Sequence, residues 1–416
     1  MDIAIAMVTE ITKMNEIHVA FLKILYCALS GVKAPDLHHF TPEQWENLIK
    51  LSTEQKVLPM VYEVIYSQLP SPQLHTSVRQ QVMVQAMKTD AFLQLYRLWD
   101  AVDVHPIVVK GLVCRNLYPK PDHRPSSDED ILVMPEQLSA AMAVLEKEGY
   151  TTIETDPSAY EFPYRSTRSP LYIELHQSLF PPDSESYGHW NQLFVNHAKP
   201  DYFIQCQDVN VCALPPTQHL LYMILHALKH FVHSGFGIRQ ICDMVVFANH
   251  YGKEIDWDWL LKSCSEVHAQ RFAAAVFEIG QRYLTFDREK ACYPVRWTEI
   301  AVDPQALLED LLCSGIYGTV SITRAHSSNI TLDAMRVDRG VGSRTSVLRT
   351  VFPKAKQLSG QYPYLKKHPW LLPAAWTQRI FKYGKEMKVS GTQSAMESVQ
   401  IGNRRVELLR QYGVIK

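Results

Sequence analysis

The spacing of apolar residues changes period twice along this chain, and that change limits the folds open to it. Through residue 100 the period is helical: Ile11, Met14, Ile17, Phe21, Leu22 and Leu25 fall on one helix face. Thr41-Pro42-Glu43-Gln44 marks a helix start, with Thr41 as N-cap, Pro42 in the first helical position and Gln44 placed to complete a capping box. A further helix is expected from Ser77 to Asp100, ending before His105-Pro106. From Ile107 the pattern becomes that of short strands. Ile107-Val108-Val109 stops at Lys110-Gly111 and opens into a helix, after which Pro119, Pro121 and Pro125 break the chain. Asp128 to Val133 reads as a second strand, Pro135 to Gly149 as a helix with a glycine C-cap, and Tyr150–Ile153 and Leu171–His176 as further strands. Beyond Pro215-Pro216 helical spacing returns over 217–232, 237–248, two helices within 257–284, and 301–316, followed by an exposed connector over 324–346.

Strands grouped between helical stretches predict an α+β fold, predominantly helical overall. The expected organisation is a small mixed-sheet core at 100–214, an N-terminal helical region at 1–99, a helical domain at 215–335 and a basic segment at 336–416 packing on the body. With 46% apolar and 20% charged residues the chain can bury substantial cores, which excludes a disordered polymer. The 8 cysteines show no close CxxC spacing, so they read as scattered thiols in a reducing cytosol. The N-terminus lacks the pattern of a signal peptide, and no apolar run reaches the ~18–20 residues of a membrane span. A cytoplasmic protein with no membrane partner is expected.

Net charge is −1, which gives the whole molecule no attraction to nucleic acid or to an anionic membrane. The average conceals a division. Residues 336–416 hold 16 Lys+Arg against 4 Asp+Glu (+12), and the residues before them 26 against 39 (−13). Lys354, Lys356, Lys366, Lys367 and Arg379 are interleaved there with Tyr362, Tyr364, Trp370 and Trp376, a mixture suited to single-stranded nucleic acid. The acidic remainder of the chain is the expected partner instead, and Pro363, Pro369 and Pro373 argue for an extended wrapping segment.

The residues that point to chemistry lie between Val108 and Glu174. Asp128 and Asp130 sit two apart at a strand start, so both carboxylates share one face while Ile131 and Val133 turn inward. Like charges so placed call for a cation, and magnesium suits hard oxygen ligands that share its shell with phosphate; a solvated turn is the alternative for the pair alone. Lys110-Gly111 ends a strand and opens a helix, where a backbone free of Cβ, free N–H groups and a lysine ammonium would serve a phosphate. Glu174 lies mid-strand with Leu171, Ile173 and Leu175 on the opposite face, where an acid needs a metal or a reacting hydroxyl as partner.

This order of strand, glycine turn, helix, Asp-x-Asp strand and lone acid resembles the polymerase-beta-like nucleotidyltransferases. The chain is similar, more closely, to an uncharacterised bacterial nucleotidyltransferase family within them. The resemblance rests on Val108-Val109-Lys110-Gly111, on Arg124 with Asp128-Glu129-Asp130-Ile131-Leu132-Val133, and on Ile173-Glu174-Leu175-His176. It continues through His226-Ala227-Leu228-Lys229-His230, Gly237–Asp243, Trp257 and Pro363–Arg379. It implies magnesium-dependent transfer of a nucleoside monophosphate from a nucleoside triphosphate, ATP among the candidates, to an unidentified acceptor, with release of pyrophosphate. Asp128, Asp130 and Glu174 would be the catalytic carboxylates and the ligands of two magnesium ions, with manganese a possible substitute. Lys110, Gly111, Arg124, His226, Lys229 and His230 would bind nucleotide or phosphate. Two departures stand out: Gly111 follows a lysine where the superfamily has Gly-Ser or Gly-Gly, and Glu129 fills a position that is usually apolar, where its burial would be hard to explain.

The histidines at 219, 226, 230 and 233 line one helix face, but without the Glu of a zinc protease motif. They read as satisfied interdomain histidines or as a cationic wall facing substrate. His176 shares the strand face of Glu174, Arg239 and Asp243 suit an intrahelical ion pair, and Cys114 reads as core. An RNA-binding or RNA-modifying protein, or a non-catalytic nucleotide-binding scaffold, are the alternative functions.

Overall fold

The structure is a computed structural model that describes residues 14–154, 156, 159–233, 235–314, 322–338, 340, 358, 362, 364–378 and 395–416. It is α+β and predominantly helical, and the chain divides into two compact units: Met1–Lys229 with Gly235–Thr319, and His230–Ser234 with Val320–Lys416.

The first unit opens with α1 (Glu16–Ser30), α2 (Pro42–Glu54), α3 (Leu58–Ile65) and α4 (Pro72–Asp100). The capping box at Thr41 and Gln44 forms as its sequence dictates. Helix α4 starts five residues before the expected Ser77, because Ser71 caps it and Pro72 takes its first position. Its Phe92, Leu95, Tyr96 and Trp99 are buried, and the Tyr96 hydroxyl both donates to Pro106 O and accepts from the Cys212 N–H.

The sheet has five strands in the order β1-β2-β5-β4-β3: β1 (Ile107–Val109), β2 (Glu129–Leu132), β3 (Thr151–Thr152), β4 (Glu161–Arg165) and β5 (Tyr172–His176). Only β2 and β5 run parallel; β1 pairs antiparallel with β2, and β4 with both β5 and β3. The short α5 (Gly111–Arg115) follows β1, and α6 (Leu138–Lys147) follows β2, closing at Gly149 with φ +79°. Strand β4 has no counterpart in the sequence reading. Pro163 hides it, yet the proline is tolerated because β3 pairs only as far as Tyr164. A separate hairpin, β6 (Phe203–Cys206) with β7 (Val209–Cys212), precedes α7 (Pro216–His233). Then come α8 (Ile238–Tyr251), α9 (Trp257–Glu266), α10 (Gln270–Tyr283), α11 (Val295–Thr298) and α12 (Gln305–Ser314).

The second unit contains α13 (Ile322–Asp338), α14 (Tyr364–Lys367) and α15 (Ala395–Gln411). The exposed connector expected over 324–346 is therefore a helix through Asp338. Thr331 and Met335 are buried in it, and Gly402 of α15 leaves only enough room for Ile330. Helix pairing overrides a sequence whose own helical tendency is weak. The extended segment expected from the prolines is instead helical turns: Tyr364–Lys367, Pro369–Leu371 and 372–378 enclose Leu358, Leu365 and Ala375. Lys354, Lys356 and Arg379, and the side chains of Lys366 and Lys367, lie outside the described residues. Among the described residues no helix is long and apolar enough to cross a membrane, and all seven described cysteines are free thiols.

Candidate active site

Register places the acids. In the parallel pair Asp130 of β2 stands opposite Glu174 of β5, and Leu132 opposite His176. In the antiparallel pair His176 stands opposite Glu161 of β4. Directly paired residues share a sheet face, so Asp130, Glu174, His176 and Glu161 form one polar patch. His176 Nε2 lies 3.1 Å from Asp130 Oδ1 and 3.8 Å from Glu174 Oε2, and its Nδ1 lies 3.8 Å from Glu161 Oε2. Among the described residues, one donor atom each from Asp130, Glu174 and His176 fall within 4.8 Å of one another, a grouping able to hold a metal ion. Asp128, half-buried just ahead of β2, is outside that group of three.

Lys110 closes the patch. Its Nζ is 2.5 Å from Asp130 Oδ2 and 3.0 Å from His226 Nε2 on α7. Its backbone adopts φ +64° and ψ −117°, a conformation that favours glycine and costs a residue with a side chain about 1–3 kcal/mol. The Lys110 N–H donates to His219 Nε2 at 3.1 Å, so the helix that carries both histidines holds the strained turn at two points. Burial drives the His219 pKa down to about 4, leaving a neutral ring able to accept that bond.

Electrostatics separate the carboxylates. Burial alone would raise Asp130, but the Lys110 ammonium and the His176 hydrogen bond hold it well below the usual carboxylate range. Burial and the neighbouring Asp130 charge push Asp128 up. Glu174 is pushed up to about 8 by burial, then by Asp130, Asp128 and Glu161. Burial lowers Lys229, as does nearby Lys110. Burial also raises the Tyr222 phenol, with Asp130 and Glu174 adding to the shift. The cluster thus gathers more carboxyl groups than its own cations neutralise, which is the condition for recruiting a cation.

On the opposite sheet face Glu129 is buried, and the structure gives the reason that the sequence lacked. Its Oε1 accepts from Arg115 Nη2 at 2.9 Å and from Ser126 Oγ at 2.9 Å, and its Oε2 accepts from the Leu112 N–H at 2.9 Å. Arg115, too, is fully buried. The α5 N-terminus, expected to await a phosphate, thus carries an internal carboxylate. A Cβ on Gly111 would come within 2.0 Å of Glu129 Oε2, so glycine is needed there for Glu129 to approach.

Arg124, expected to reach a phosphate, is buried instead and turned away. Its Nε and Nη2 contact the two oxygens of Asp243 at 3.0 and 2.6 Å, and the Tyr118 hydroxyl donates to Asp243 at 2.7 Å. Asp243 therefore pairs with Arg124, not with Arg239 one turn away, and Arg239 donates to Pro125 O. Lys88 of α4 holds the next two carbonyls, Ser126 O at 2.9 Å and Ser127 O at 3.3 Å, so the segment leading to Asp128 is clamped from two helices. Lys110, His226 and Lys229 gather about the acids, while Gly111 lies against Glu129 on the opposite face and His230 belongs to the second unit. Cys114 is buried core, as expected. Glu161, Lys88 and Arg115 are absent from the sequence reading. For Glu161 a signal existed: Phe162 and Tyr164 alternate with polar neighbours at strand period.

No curated protein matches the chain. Among solved structures, an antigenic nucleotidyltransferase-like protein from Paracoccidioides brasiliensis is similar over 49% of this chain and 96% of its own, at 10% identity and a TM-score of 0.30. A family model described as an uncharacterised nucleotidyltransferase matches residues 41–285, more than half the chain and all of the acid-bearing sheet. The chain belongs to that nucleotidyltransferase family.

Proposed function

We propose that the protein is a divalent-metal-dependent enzyme of the polymerase-beta-like type. It would transfer a nucleoside monophosphate from a nucleoside triphosphate, with magnesium or manganese, to an acceptor hydroxyl. The observation that carries this reading is the pairing of Asp130 with Glu174 across parallel strands, beside Asp128, in a chain of this family. The donor set fits a divalent ion, since the acids share one patch and are only partly neutralised by Lys110. Asp128, Asp130 and Glu174 would hold it. Bound there, such an ion neutralises triphosphate charge and lowers the pKa of the acceptor hydroxyl.

The chain's own groups supply the rest. Lys110 exchanges its contact with Asp130 for a phosphate oxygen, and its strained backbone holds the ammonium in that direction. Lys229 adds positive charge on the same side, and His226 accepts from the Lys110 ammonium. As the acceptor oxygen bonds to the α-phosphorus, the bond to the β-phosphate oxygen breaks and pyrophosphate leaves. The acceptor's proton passes to the Glu174 carboxylate, which is ionised in the metal-bound site. Cytoplasmic placement accompanies this reading through the free thiols.

A thermal-shift panel of the four ribonucleoside triphosphates, with and without magnesium or manganese, tests the proposal. Stabilisation by a triphosphate only in the presence of metal is expected, and it should vanish in Asp128→Ala and Asp130→Ala while both variants keep the native circular dichroism spectrum. Metal-independent binding that survives both substitutions sinks the reading in favour of a scaffold.

A further inference from the structure

His176 has no role in a magnesium site built from carboxylates, yet it is central to the patch. It is 8% exposed, and its Nε2 points between Asp130 and Glu174. We infer that the ion of this site is a divalent first-row transition ion in preference to magnesium. The Nε2 of His176 joins Asp130 and Glu174 as a ligand of that ion, with Asp128 beside them, and Glu161 is the positioning residue for the imidazole. The inference rests on the metal-dependent reading above and specifies its ion.

The argument is one of donor chemistry. Magnesium demands oxygen ligands in near-octahedral array and gives up its water reluctantly, so a buried imidazole takes the place of a donor that it would use. First-row transition ions bind imidazole readily. Hydrogen bonding holds the ring on one side alone: Nε2 bonds Asp130 Oδ1 at 3.1 Å, a contact that a bound ion would replace, while Nδ1 is buried and makes no hydrogen bond.

The second observation concerns that Nδ1. Glu161 lies directly opposite His176 in the β4–β5 register, with Oε2 3.8 Å from Nδ1. Closing by about 0.8 Å would complete a hydrogen bond. When an ion takes the place of the Nε2–Asp130 hydrogen bond, a carboxylate on that side accepts the proton of Nδ1–H and leaves the Nε2 lone pair to the ion. Metal-binding histidines commonly have this support, and its loss costs about 10- to 100-fold in metal affinity.

The test uses the full chain stripped of metal, titrated calorimetrically with Mn2+, Co2+ and Mg2+, and the Mn2+ complex examined by pulsed electron paramagnetic resonance. Both transition ions should bind at least about tenfold more tightly than Mg2+, and the Mn2+ spectrum should carry coupling to a nitrogen-14 nucleus. His176→Asn should abolish the coupling and shrink the preference about tenfold. Glu161→Gln should weaken Mn2+ binding with Mg2+ binding unchanged, and Glu161→Asp should restore part of the loss. Mn2+ binding without nitrogen coupling in the unsubstituted chain overturns the inference and leaves the carboxylate site standing; this arm requires no variant to fold. Coupling that persists in His176→Asn assigns the nitrogen elsewhere, with the same consequence. Failure of every divalent ion to bind overturns both this inference and the reading beneath it.

Discussion

Glu174 stands in an environment far from water, and the difference can be titrated. Its carboxyl is pushed from its usual 4.5 up to about 8, so between those values the folded chain holds a proton that the unfolded chain has released. Stability of the metal-free protein should therefore fall as pH rises through that window. Denaturant unfolding at several pH values checks this, and Glu174→Gln should flatten the profile. Metal must displace that proton, so divalent-ion affinity should rise over the same interval and level off near its upper end. Lys110 offers a second prediction at this scale. Lys110→Gly removes the ammonium but relieves an unfavourable backbone, so it should bind triphosphate more weakly while losing less stability than Lys110→Ala. Equal stability of the two variants would mean that the turn stores no strain.

At the scale of elements, the turn between β1 and α5 is built around Glu129. The carboxylate ties β2 to the first turn of α5 and to Arg115, all out of reach of water. Glu129→Ala would leave a guanidinium buried without its acid, so a loss of about 3–5 kcal/mol is expected in chemical denaturation. Gly111→Ala should destabilise the protein too, because a methyl group there displaces the same carboxylate. A Gly111→Ala variant with unaltered stability would show that the turn has room that its geometry denies. The clamp of Lys88 and Arg239 on residues 125–127 acts on the next link, setting the path by which the chain enters β2 at Asp128.

At the scale of the whole molecule, metal and triphosphate together should behave as one ligand of the folded state, contributing about 2.7 kcal/mol at a hundredfold excess over Kd. Asp130→Asn should lose that stabilisation in a thermal scan. Much of the architecture was legible beforehand. Ile107–Val109 is a strand with the expected bounds, Leu171–His176 and Asp128–Val133 each shorten by a residue or two, and the helices Pro216–His233, Ile238–Tyr251, Trp257–Glu266, Gln270–Tyr283 and Gln305–Ser314 lie where apolar spacing places them. The family was legible too, because Lys110-Gly111, Asp-x-Asp and Glu174 are local motifs. Local rules failed where partners came from far along the chain. Arg124 pairs with Asp243 across 119 residues, His219 reaches Lys110 across 109, and α13 gains its helical form by packing on α15. By itself, then, the sequence determined the period of most elements of the first unit, the cap at Thr41, and which acids share a strand face, since those follow from neighbours within a few residues. Only the tertiary structure decided that Glu129 is neutralised by Arg115, that Arg124 is withdrawn from the site, and that His176 joins the acids with Glu161 behind it. Those outcomes depend on strand order and helix docking, where the cost of burying a charge is settled by whichever partner the fold brings within hydrogen-bonding distance.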